Sequence, residues 1–96
     1  MSVHFGKEKF HATMVCLVEA GDIHPRVNAA LSQHLLHIKE TEDLPEQFVE
    51  DFSRFRESLG IEQQGHISEV INNKSESEVE NIAKQLVQLY EKFLSC

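Results

Sequence analysis

The longest apolar run in the chain is Met14 to Val18, far short of the roughly 18 residues that a membrane-spanning helix needs. No membrane association is predicted. The opening segment MSVHFGKEKFHATM lacks the continuous apolar stretch and small-residue cleavage site of a secretory leader, so the expected location is the cytoplasm. Cysteine is scarce: Cys16 lies inside the apolar run and Cys96 is the last residue. That usage suits two reduced thiols in a cytosolic setting, and without a cysteine pair at ligand spacing a zinc ribbon or finger is excluded. The four glycines form neither a Gly-x-Ser-x-Gly elbow nor a phosphate-cradling loop. The serines fall at caps or on polar faces. No cofactor motif is present, and the chain is not expected to be an enzyme.

Basic residues are few, nine against sixteen acidic, for a net charge of −7. The imbalance is uneven. Residues 1–39 hold four basic and three acidic residues, and residues 40–96 hold five basic and thirteen acidic ones. Phosphate backbones would be repelled by the second part, so nucleic acid is not an expected partner. Five of the six histidines (His4, His11, His24, His34 and His37) lie in the near-neutral first part.

What is present is helical periodicity. A 96-residue chain is read as one domain, which buries about 60 to 65 per cent of its unfolded surface. The segment Asp43 to Gly60, DLPEQFVEDFSRFRESLG, carries a complete helix specification. Asp43 is the predicted N-cap, with Pro45 in the first turn and Glu46 at capping-box spacing. Phe48, Phe52, Phe55 and Leu59 form one stripe, and Gly60 is placed to close the last turn, with Ile61 folding back over it.

A first helix is predicted from Gly6 to Ala20, with Phe10, Met14, Leu17 and Val18 on its main face and the small residues Ala12, Cys16 and Ala20 behind. Gly21 then stops it. Asp22 is the predicted cap of a second helix running to about Lys39 through Val27, Leu31, Leu35 and Ile38. With so short a turn the two should form an antiparallel hairpin. Residues 40–43 read as a polar connector and 61–65 as a loop. A short helical turn over 66–73 offers Ile67, Val70 and Ile71. The final helix begins at Ser75 or Ser77, each with a glutamate three residues on. Its apolar residues from Val79 to Leu94 cover an arc wider than a surface helix needs. No segment shows strand alternation. The expected fold is all-α, a small bundle of four or five helices built from antiparallel hairpins. The excess of apolar surface points to a homodimer.

Two sets of residues are candidates for function. Within the hairpin, Glu8, His11, His34 and His37 would face one another as an E-x-x-H beside an H-x-x-H, a donor set suited to zinc, iron or nickel. A phosphorelay role for His34 or His37 lacks the lysine and glycine expected just after such a histidine. The second set is the acidic back of the Asp43 to Gly60 helix: Glu46, Glu50 and Glu57, with Asp51 nearby. Such a face steers a basic protein partner. The leading expectation is therefore a regulatory, inhibitory or adaptor protein acting through helix faces. A histidine-based metal-binding bundle and a purely structural homo-oligomer are the alternatives.

Overall fold

The computed structural model describes residues 3–60 and 66–95, and among them every regular element is helical. In chain order these are α1 (Val3–Leu17), α2 (Ile23–Gln33), a 3-10 turn (Leu35–His37), α3 (Glu40–Asp43), α4 (Glu46–Ser58), α5 (Ile67–Asn72) and α6 (Glu76–Leu94). The fold is the small all-α bundle expected. Its radius of gyration of 12.6 Å is close to the roughly 12.5 Å of a compact chain this long. No helix among the described residues is long and apolar enough to cross a membrane. The expectations for Ile61, the 61–65 loop and Cys96 fall outside the described residues.

The helices α1 and α2 pack along each other as the predicted hairpin, but both end early. At the end of α1 the bonds shorten to i→i−3, Val18 to Val15 and Glu19 to Cys16. The carbonyl of Leu17 is taken instead by Nη1 of Arg26 at 2.7 Å. A cation on an open terminal carbonyl satisfies an orphan acceptor and complements the helix dipole. Val18, expected on the core face, is 82% exposed. Of the small strip, Cys16 is buried and Ala20 exposed.

Asp22 occupies the N-cap position of α2 with extended backbone, but its carboxylate makes no capping bond. The helix breaks at His34 (φ −128°, ψ −66°). The 3-10 turn that follows still buries Leu35, and Ile38 is buried beyond it. The four predicted core positions are therefore filled, although the helix is not continuous.

Asp43 corrects a second expectation. Residues 40–43 are a helical turn, and Oδ2 of Asp43 accepts from the Lys39 backbone N–H at 2.9 Å. The carboxylate is buried and serves α3, so Pro45 stands at the N-cap of α4. The phenylalanine stripe of α4 is buried as predicted, and Gly60 adopts φ +70°. Ser75, of the two candidate starts, caps α6: its hydroxyl accepts from Glu78 N at 3.2 Å while its own N–H donates to Glu78 Oε1 at 3.0 Å.

Phe10 is the centre of the core. Its ring contacts Phe48 at 6.2 Å, Phe52 at 6.3 Å, and Tyr90 and Phe93 each at 5.6 Å between centroids. Phe48 stacks on Phe93 at 5.1 Å with 11° between the planes. One aromatic cluster thus joins α1, α4 and α6. Each such pair adds about 0.5–1.5 kcal/mol beyond area burial. At the other end, Nε2 of His24 donates to the Lys74 carbonyl at 2.8 Å, and Ser68 donates to Oδ1 of Asn28 at 3.2 Å. These bonds seat α5 and the start of α6 against α2.

Candidate protein-interaction face

Burying Phe48, Phe52 and Phe55 turns the opposite side of α4 outward. Glu46, Glu50 and Glu57 are all exposed there, along one stripe by helical arithmetic. Arg54, one turn beyond Glu50, forms an ion pair with it. An exposed pair of this kind contributes about 0–1 kcal/mol, so its effect is to place one positive charge on the face rather than to hold the fold. Glu42, exposed on α3, lies 3.7 Å from the Lys39 ammonium.

The face is not purely polar. Leu44, Glu46, Val49 and Glu50 line a shallow depression of about 510 Å³. Leu44 is buried and Val49 half-buried, giving the depression an apolar floor, with Glu46 and Glu50 on one flank of Val49. The acidic stripe alone does not announce this floor. The signal lies in the spacing: Val49 is three residues after Glu46, an apolar residue on the flank of a polar face.

Asp51, grouped with this surface by sequence, and the neighbouring Asp43 point elsewhere. Asp51 lies about 120° around the helix from the glutamate stripe and turns to α6, where its Oδ2 meets Nζ of Lys92 at 3.1 Å. There it borders a separate groove of about 370 Å³ with Arg54, Phe55 and Leu89. Asp43 is buried and hydrogen-bonded to Lys39, so its charge is not displayed.

The histidine set is not assembled. Glu8 pairs with His4 one turn earlier on α1, at 3.0 Å, and His11 and His37 are exposed. Among the described residues no three His, Cys, Asp or Glu side chains are placed to share a metal ion. The physical reason is the break at His34. Opposed positions in a helical hairpin hold register only while both helices continue, and α2 stops at Gln33. His34 becomes the cap residue, with its backbone N–H donating to Ala30 and its Nδ1 buried without a hydrogen-bond partner among the described residues. His37 falls on the 3-10 turn. The four expected ligands Glu8, His11, His34 and His37 therefore do not share one site.

The sulfur of Cys16 is likewise a core group. Burial first, and then the negative charge of Glu19 and a hydrogen bond to it, push the thiol above its ordinary pKa. A thiolate nucleophile is disfavoured in that setting.

Compared with protein-family models, with curated proteins and with solved structures, the chain matches none. The functional reading consequently rests on the faces themselves.

Proposed function

We propose that this chain acts by protein–protein interaction in the cytoplasm, as a small acidic regulatory, inhibitory or adaptor protein. Its partner carries a basic surface and docks on the outer face of α4. A homodimer is the proposed assembly. The observation that carries the reading is the depression over Leu44 and Val49 edged by Glu46 and Glu50. Carboxylates steer a cationic partner and raise its association rate, and an apolar floor supplies the desolvated contact that a salt-screened charge pair cannot. A lysine- or arginine-rich segment presenting one aliphatic or aromatic side chain has the matching chemistry. Binding rather than catalysis is favoured by the shallow, open form of the surface.

The test is affinity capture from the native host with the wild-type chain and with Glu46→Lys/Glu50→Lys/Glu57→Lys. All three positions are exposed, so the variant should keep its circular dichroism spectrum. A partner held by the wild type, released by moderate salt and lost by the triple variant supports the proposal. Undiminished capture by the folded triple variant removes the face from consideration.

A further inference from the structure

α6 carries two apolar stripes. The inner one, Val79, Ile82, Leu86 and Phe93, is buried in the bundle. The outer one is Ala83, Val87, Tyr90 and Leu94, at the i, i+4, i+7, i+11 spacing of a helix–helix seam. Within the bundle this stripe is only partly covered: Val87 is 46% and Leu94 57% exposed. Tyr90 is half-buried, its ring stacked on Phe10 with 23° between planes, so it contributes to the seam only with the part of its side chain left uncovered. Glu80, exposed one turn before Ala83, ends the stripe.

The charges beside the seam select an occupant. Lys84 and Glu91 are both exposed and both lie on the solvent side of it. If a second α6 is laid antiparallel with the two-fold axis between residues 88 and 89, Val87 packs against Tyr90 of the other copy and Ala83 against Leu94. Lys84 then lies within two residues, about 3 Å along the axis, of the level of the other copy's Glu91, and the symmetry forms the pair twice. A parallel arrangement sets the same charges against Val79 and Leu86, where neither has a counter-charge. The pattern is thus self-complementary in one orientation, as a two-fold interface requires.

We propose that the outer stripe of α6, Ala83, Val87, Tyr90 and Leu94, is a homodimer seam closed antiparallel by reciprocal Lys84–Glu91 pairs. The inference rests on the homodimer reading and is independent of the acidic face of α4. Four seam residues per copy make a contact smaller than the roughly 800 Å² per partner of a standard stable interface, so the dimer should dissociate in the micromolar range.

Sedimentation equilibrium from about 1 µM to about 1 mM tests it. The wild type should pass from monomer to dimer across that range, and Val87→Glu/Leu94→Glu should stay monomeric with unchanged helicity. Lys84→Glu alone should weaken the dimer about tenfold, and Lys84→Glu/Glu91→Lys should restore it. The α4 variant Glu46→Lys/Glu50→Lys/Glu57→Lys should dimerise like the wild type, which separates failure of the seam from failure of the acidic face. The proposal is overturned by a wild-type chain that remains monomeric, by a Val87→Glu/Leu94→Glu variant that still dimerises, or by a charge swap no stronger than Lys84→Glu.

Discussion

Gly6 of α1 lies directly against the backbone of Asp43 at the end of α3. A β-carbon at position 6 would overlap the Asp43 carbonyl oxygen and stand 3.1 Å from its carbonyl carbon. Two effects oppose each other in Gly6→Ala. Helix propensity favours alanine by about 1 kcal/mol, whereas forcing extra volume into a packed contact costs about 1–3 kcal/mol, and a backbone carbonyl cannot rotate aside as a side chain can. The overlap should win. Gly6→Ala is expected to lose about 2 kcal/mol in urea unfolding, and a stability gain would show that α1 and α3 are not in contact.

Phe10 joins the rings of α1, α4 and α6. Phe10→Ala should cost about 3–5 kcal/mol, most of the stability of a small domain. Loss of the near-ultraviolet circular dichroism of Tyr90 at low denaturant is the expected readout. The half-buried Phe5 serves as control: Phe5→Ala should cost about 1 kcal/mol or less.

Glu78 gives the chain a pH-dependent helix start. The Ser75 backbone N–H, and after it the Ser75 hydroxyl, hold its carboxyl below the ordinary value, with a smaller contribution from Lys74. A depressed folded-state pKa stabilises above the unfolded value, and that stabilisation is lost as pH falls through the folded value. The first turn of α6 should therefore fray on acidification below the usual glutamate range. In an NMR titration Ser75→Ala should raise the midpoint of Glu78.

Cys16 should resist alkylation. With its pKa raised by burial and by Glu19, the thiolate is scarce at neutral pH, and iodoacetamide should modify it at least about tenfold more slowly than in the unfolded chain. Glu19→Gln should speed the reaction modestly, because burial, the larger cause, remains. Peptide mass spectrometry at fixed times measures both.

Much of the fold was legible because its signals are local. The phenylalanine stripe of α4, the left-handed Gly60 and the Ser75–Glu78 box each lie within a dozen residues, and each is found as expected. What the sequence concealed depends on which of several nearby partners a side chain takes. Arg26 ends α1 by reaching nine residues back to Leu17, and Asp43 is diverted from α4 by a backbone N–H on its N-terminal side. The break at His34, which no glycine or proline announces, dissolved the Glu8, His11, His34 and His37 set. The acidic face was legible in Glu46, Glu50 and Glu57. Its apolar floor was not, since Leu44 joins it only through the extended link between α3 and α4.

The two side chains at the start of α2 have a dynamic consequence. Arg26 closes a carbonyl of α1, and His24 closes the Lys74 carbonyl fifty residues away. Helix ends ordinarily fray one at a time, each at small free-energy cost. Here three ends are tied to a single turn, so releasing one loosens the others. The terminal amides of α1, the opening turn of α2 and the stretch before α6 should therefore exchange hydrogen as one cooperative unit.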